Sequence, residues 1–229
     1  MSEQSLPTVI AIDGPSGSGK GTLSQLLAQK LGFSLLDSGA LYRLVALAAL
    51  KCNADLTDEE QVAAIARSLN VSFDASGEAT RVMMSGEDVT LAIRQEKVSM
   101  SASVVAAYPR VRAALLERQR AFRQPPGLVA DGRDMGTTVF PDAPLKIFLT
   151  ASARARAERR YRQLQEKGEA VDMAELVRDI EDRDTRDSSR AVSPLRPADD
   201  AILLDSTSMN IDQVLEAMLV MVRANKLQA

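Results

Sequence analysis

The residue run Gly14-Pro15-Ser16-Gly17-Ser18-Gly19-Lys20-Gly21-Thr22 carries the clearest chemistry in this 229-residue chain. Four of the 12 glycines fall between Gly14 and Gly21. That density lets backbone N–H groups approach phosphate oxygens closely and adopt positive φ without interference from a Cβ. An apolar run at 8–12 precedes the segment and a helical pattern follows it, so the positive end of the helix faces the same anion. Lys20 adds a mobile ammonium suited to β- and γ-phosphates. The strict form of this motif has Ser or Thr directly after the lysine, whereas here Gly21 intervenes before Thr22. The hydroxyl for Mg²⁺ or the β-phosphate is therefore displaced, or is supplied by Thr22.

Two further segments deliver charge to the ends of apolar runs. Leu35-Leu36 leads into Asp37-Ser38-Gly39-Ala40-Leu41-Tyr42-Arg43, and Leu128-Val129-Ala130 leads into Asp131-Gly132-Arg133-Asp134-Met135-Gly136. Ligands of open α/β sheets bind at the carboxyl ends of the strands. Ser38, Arg43 and Arg133 at such an edge, beside a phosphate loop, point to a second anionic substrate. The alternative is that Arg43, Arg133 and the two aspartates pair among themselves.

Composition removes whole classes of chemistry. The chain has no His and a single Cys, Cys52, which excludes Ser-His-Asp hydrolysis, Cys/His zinc sites, a disulfide framework and an imidazole base. The charge is 28 − 31 = −3, with aromatics at 3%, which disfavours coating of nucleic acid by bulk charge or base stacking. No apolar stretch approaches the roughly 18 residues of a membrane span, and residues 1–6 have neither a basic start nor an apolar run. A cytoplasmic protein without membrane or nucleic-acid partners is expected.

The elements that must position these residues follow from apolar patterning. Runs at 8–12, 34–36, 128–130, 145–149 and 201–204 read as buried strands with little alternation. Helical patterns at 20–30, 40–51, 109–123, 152–167, 173–187 and 212–226 lie between them. Strands alternating with helices predict a doubly wound α/β fold with a parallel sheet covered on both faces. The interval 71–90 breaks this alternation with short strand-like runs around Ser76-Gly77 and Ser85-Gly86, predicting a small antiparallel insert. Residues 154–196 hold 11 basic and 10 acidic side chains in two helical stretches hinged near Gly168. Such a segment reads either as a solvated ion-pair face or as a cluster aimed at bound anions.

Taken together, 14–22, 37–43, Tyr108-Pro109-Arg110-Val111-Arg112, Asp131 to Gly136 with Phe140-Pro141-Asp142-Ala143, and 183–190 resemble the bacterial cytidylate kinases, within the nucleoside monophosphate kinases. The resemblance is collinear from about residue 8 to residue 226. It implies a P-loop NTPase fold of the adenylate-kinase kind, with a five-stranded parallel sheet, a β-rich insert and a helical lid. The implied parts are a core at 1–37, 124–152 and 191–229, a monophosphate-binding region with the insert at 38–123, and a lid at 153–190, together one kinase unit.

The resemblance also implies an activity: transfer of the γ-phosphoryl of ATP to CMP or dCMP, by a monomer. Mg²⁺ accompanies ATP, held mainly by phosphates and water, with Thr22 as the nearest hydroxyl. It assigns Gly14, Pro15, Ser16, Gly17, Ser18, Gly19, Lys20, Gly21 and Thr22 to ATP. Ser38, Arg43 and Arg133 fall to the acceptor monophosphate, and Ser103, Arg112 and Asp134 to cytosine. Arg183 and Asp187 fall to the sugar, Arg190 to the acceptor nucleotide and Arg159 to the transferring phosphoryl, with Lys20, Arg133, Arg159 and Arg190 catalytic. Residues 183, 187 and 190 share one helical face by spacing alone. Competing readings are a kinase for UMP, dTMP, AMP or shikimate, and a nucleotide-dependent switch. The chain lacks an Asn-Lys-x-Asp guanine-reading sequence.

Overall fold

Burial on both sides of a parallel sheet demands strands that are apolar throughout, and the central strands meet that demand: Val9, Ile10 and Ile12 are fully buried, as are Leu128, Val129 and Ala130. The computed structural model describes residues 6–74, 81–166, 168 and 170–227. In chain order these form β1 (Thr8–Asp13), α1 (Lys20–Leu31), β2 (Ser34–Asp37), α2 (Ser38–Lys51), α3 (Glu59–Ser68), β3 (Val71–Asp74), β4 (Arg81–Met84), β5 (Glu87–Asp88), α4 (Glu96–Val105), α5 (Pro109–Arg120), β6 (Gly127–Gly132), β7 (Leu145–Thr150), α6 (Ala153–Glu166), α7 (Met173–Ser188), β8 (Ile202–Asp205) and α8 (Ile211–Ala224). Short helical turns occupy Ala92–Arg94 and Met135–Val139.

The chain divides into two compact units, Met1–Asp37 with Gln119–Ala229, and Ser38–Arg118. The first holds the parallel sheet, in the order β2-β6-β1-β7-β8. Ile10 sits opposite Val129 on one side and Leu145 on the other. Because every strand runs the same way, all five carboxyl ends lie along one edge. Leu23 and Leu27 of α1 and Val214, Met218 and Val222 of α8 pack into the core around Ile12, Ile147 and Leu149. The last helix starts on a capping box, with Asn210 Oδ1 accepting from Gln213 N at 2.9 Å and Gln213 Oε1 from Asn210 N at 3.0 Å.

In the second unit α2 is buried through nine of its residues, including Leu41, Leu44 and Val45. The expected insert is present as an antiparallel sheet in the order β3-β4-β5, with Val71 opposite Met84; the turn expected at Ser76-Gly77 lies outside the described residues. Helices α3 and α4 fill intervals for which patterning predicted no element. α3 is capped by Asp58, whose Oδ1 accepts from Gln61 N at 3.1 Å. The hinge expected near Gly168 is a left-handed glycine with φ 78°. No helix among the described residues is long and apolar enough to cross a membrane.

Gly14, directly after β1, is the position least tolerant of a side chain, because a Cβ there would lie 2.0 Å from the Leu149 carbonyl oxygen at φ +152°. The oxygen belongs to backbone and a Cβ is fixed by the backbone that carries it, so neither can step aside. Gly14→Ala is expected to cost about 3 kcal/mol or more of stability, measured by urea denaturation. A loss below about 1 kcal/mol would contradict this close approach.

Candidate active site

The phosphate loop is shaped by glycines in positive φ, with Gly17 at 75° and Gly19 at 91°. Gly19 ends the loop and opens α1 without any side-chain cap, so the first-turn N–H groups are directed at whatever anion approaches. Ser18 Oγ donates to the Pro15 carbonyl at 3.0 Å, and Lys20 Nζ donates to the same oxygen at 2.8 Å. The lysine is only 5% exposed. Burial pushes its pKa down to about 7, and the Arg133 guanidinium adds to that effect, with Arg183 contributing less; Asp131 and Asp13 oppose it. A bound polyphosphate would restore the ammonium by supplying opposite charge.

Asp131 and Arg133, at the exit from β6, act electrostatically on this lysine. Arg133 Nε donates to Asp187 Oδ2 at 3.0 Å, and Arg190 donates to the other carboxylate oxygen of the same residue. Asp187 is almost fully buried. Burial alone would raise its pKa, but Arg133 and Arg190 together outweigh burial and hold it below the usual carboxylate range. One carboxylate from α7 thus orients two guanidiniums, one from just beyond β6 and one from just beyond α7. Asp134, next in chain to Arg133, is also buried.

Helices α6 and α7 are joined to the loop by two arginines. Arg156 is 3% exposed; its Nη1 donates to Ser16 O and Asp184 Oδ1, both at 3.0 Å, and its Nε to Ala151 O at 2.9 Å. Arg159 Nη1 reaches Ser18 O at 3.4 Å and Ser206 Oγ at 3.3 Å. Arg156 was not among the sequence candidates. Nothing local separates it from Arg154, which is exposed and pairs with Glu158 at 3.2 Å. The three-residue spacing to Arg159 is the signal that places both on one helical face.

The second unit presents the other candidates. Ser38 is the buried first residue of α2, and Ser103 is a buried residue of α4. The Arg112 guanidinium lies 5.5 Å from the centroid of the Tyr42 ring, within cation–π range. Its Nη1 donates to Ala106 O at 3.0 Å. Arg43 follows Tyr42 on α2. The candidates therefore divide between the units: Lys20, Arg133, Asp134, Arg159, Arg183, Asp187 and Arg190 in the first, Ser38, Arg43, Ser103 and Arg112 in the second.

No group of three or more His, Cys, Asp or Glu side chains gathers as a metal cage among the described residues. Thr22 is exposed in the first turn of α1, and Asp131 Oδ2 lies 3.7 Å from where a Cβ on the adjacent Gly21 would sit. One hydroxyl and one carboxylate fit a Mg²⁺ that keeps most of its waters and takes its remaining ligands from phosphates.

Asp13 acts electrostatically on the lysine, and Met135 N and Gly136 N each donate to its carboxylate at 2.8 Å. Burial nevertheless pushes its pKa up from 3.8 to about 7. Between those values the folded state binds more protons than the unfolded one, so this group lowers stability as pH rises towards 7. Lys20 acts oppositely: between about 7 and 10.5 the unfolded state binds more protons, so stability increases with pH. Without nucleotide, their joint contribution is expected to be smallest near pH 7. Melting temperature against pH measures it: Lys20→Met should abolish the alkaline rise and Asp13→Asn the fall on the acid side. Variant profiles parallel to that of the parent would contradict the assignment.

The model of the family described as "Cytidylate kinase" matches residues 10–224. The chain is 61% identical over 213 residues to the cytidylate kinase of Pseudomonas paraeruginosa and 62% identical over 213 residues to that of Pseudomonas savastanoi pv. phaseolicola, covering 92% of this chain and 93% of each relative. Among solved structures, a gluconokinase from Sinorhizobium meliloti aligns over 96% of this chain and 95% of its own, with a TM-score of 0.46 and 17% identity. With a phosphate loop on β1, charged residues following β6 and α7, and this extent of identity, the chain belongs to the cytidylate kinase family.

Proposed function

We propose that the chain transfers the γ-phosphoryl of ATP to CMP or dCMP, giving ADP and CDP or dCDP. The observation that carries this reading is the Arg133–Asp187–Arg190 array, built on a buried carboxylate, beside Lys20, on a chain of this family. Phosphoryl transfer needs in-line positioning and neutralisation of charge more than covalent help from the protein. The accepting oxygen belongs to a phosphate whose second pKa is about 6, so at pH 7 it is mostly ionised. A general base is then unnecessary, which accords with a chain that has no His.

In this reading Gly14, Pro15, Ser16, Gly17, Ser18, Gly19, Lys20, Gly21 and Thr22 hold ATP. Mg²⁺ supplies further neutralisation of the phosphates when bound, and Thr22 and Asp131 are the residues to hold it. Ser38, Arg43 and Arg133 take the acceptor monophosphate, Arg183 and Asp187 the sugar, and Arg190 the acceptor nucleotide. Arg159, which holds Ser18 O and Ser206, reaches the transferring phosphoryl. Helices α6 and α7 form a lid that excludes water able to intercept that group.

Ser103, Arg112 and Asp134 read cytosine. Its 4-amino group donates to a carboxylate, and its N3 and O2 accept from a guanidinium. Uracil would set O4 against Asp134 and N3–H against Arg112, leaving buried groups unpaired, a stronger discrimination than an apolar slot provides. The chain acts as a cytoplasmic monomer on small molecules. Kinases for UMP, dTMP, AMP or shikimate and a nucleotide switch are not favoured, since the curated relatives are cytidylate kinases.

Release of ADP from MgATP, measured with CMP, dCMP, UMP, AMP, dTMP and shikimate in turn, tests the reaction. Turnover confined to CMP and dCMP and lost in Lys20→Ala is the expected outcome; ADP formed equally without an acceptor would overturn the reading. Arg190→Met is expected to lose about a thousandfold in kcat/KM while Tm falls by only about 5 °C. Losses of activity that merely follow the fraction unfolded would instead make Arg190 a structural residue.

A further inference from the structure

Asp13 is buried, ionisable and outside the set of residues that the proposed reaction uses. It is the last residue of β1 and directly precedes the phosphate loop. In the parallel ladder it sits opposite Gly132, the last residue of β6. Its side chain reaches beyond that ladder to the backbone on the far side of Arg133 and Asp134, Oδ1 accepting from Met135 N and Oδ2 from Gly136 N. These are the opening N–H groups of the helical turn Met135–Val139, donors that a helix start leaves unsatisfied. No side chain of the turn's own caps it. The two residues between are therefore held at both ends, by the ladder at Gly132 and by the carboxylate at Met135 and Gly136.

The clamp has a close-packed outer wall. A Cβ on Gly136 would meet the Lys146 stem at 3.1–3.2 Å and Asp13 Oδ2 at 3.5 Å. Lys146 is itself fixed, donating to Pro141 O at 2.7 Å and to both oxygens of Asp200 at 2.8 and 2.9 Å. An asparagine of the same size would avoid much of the cost of burying a charge. What a carboxylate offers and an amide does not is a second acceptor, so the two N–H groups can be held together.

We propose that Asp13 is a positioning residue for the acceptor: by clamping Met135 and Gly136 it fixes Arg133 and Asp134 in place relative to the phosphate loop that begins at its own carboxyl end. The inference rests on the acceptor roles given above to Arg133 and Asp134. Displacement of such groups by about 1 Å costs up to a hundredfold in rate.

The test is steady-state kinetics of Asp13→Asn, with Asp134→Asn as reference and Gly136→Ala as a second disturbance of the same turn should Asp13→Asn fail to fold. The expected result for Asp13→Asn and Gly136→Ala is a rise of about tenfold or more in KM for CMP, with KM for MgATP changed less than about threefold and a reduced ratio of kcat/KM for CMP over UMP. A merely structural role would lower kcat with the active fraction and leave both KM values and that ratio unmoved. That outcome overturns the proposal, as does a ratio lowered by Asp134→Asn but untouched by both turn variants. If Asp134→Asn leaves the ratio unchanged, the base-reading role of Asp134 has failed instead. The split between the two KM values, which also reports on Arg133, then decides for or against Asp13.

Discussion

Positive charge held out of water at the carboxyl edge of the sheet is the constraint on which the rest of the first unit depends. Burial depresses the pKa of Lys20 most, Arg133 and Arg183 add to that effect, and Asp131 and Asp13 oppose it. Asp187 pairs with Arg133 and Arg190 at once. Such an arrangement costs folding stability and is relieved by anions. The parallel sheet is what makes it achievable, because only strands running the same way deliver their carboxyl ends, and the residues that follow them, to one edge.

The glycines and the apolar strands serve the same end. Gly14 lets the loop leave β1 against the backbone of Leu149, and the glycines at 17 and 19 take positive φ values that a side chain would resist. Arg156 and Arg159 then hold the loop carbonyls at Ser16 and Ser18, so oxygen atoms that would repel a phosphate are occupied by guanidinium N–H groups. The site is prepared in advance by fixed donors, which is where phosphoryl transfer obtains most of its acceleration. No group titrating as imidazole does is needed for that work.

The five strands were legible because each is a short apolar run bounded by turn residues, and the phosphate loop because glycine spacing is local. Helical spacing put Arg183, Asp187 and Arg190 on one face, but α7 ends at Ser188 and Arg190 lies beyond it, where it still pairs with Asp187. Helix α3 escaped notice because its buried face is Val62, Ala63 and Ala66, too weakly apolar to stand out, although Asp58 followed by Gln61 is a capping signal. Helix α4 places serines at 99, 101 and 103 among small apolar residues, a pattern that fits neither a clean helical nor a clean strand period. Asp13 could not have been found from spacing at all. Its partners lie 122 and 123 residues away, and only the pairing of β1 with β6 brings them within reach.

The buried charge itself is directly measurable. Titration of the Lys20 amine by NMR, using isotope-labelled lysine and Lys20→Met to assign the resonance, is to be run on the protein alone and with a non-hydrolysable ATP analogue. The expected result is a pKa close to 7 in the protein alone and a return towards the 10.5 of a free lysine when the phosphates bind. A value near 10.5 under both conditions would contradict a site in which burial, with Arg133 beside it, disfavours the lysine's charge until an anion joins it.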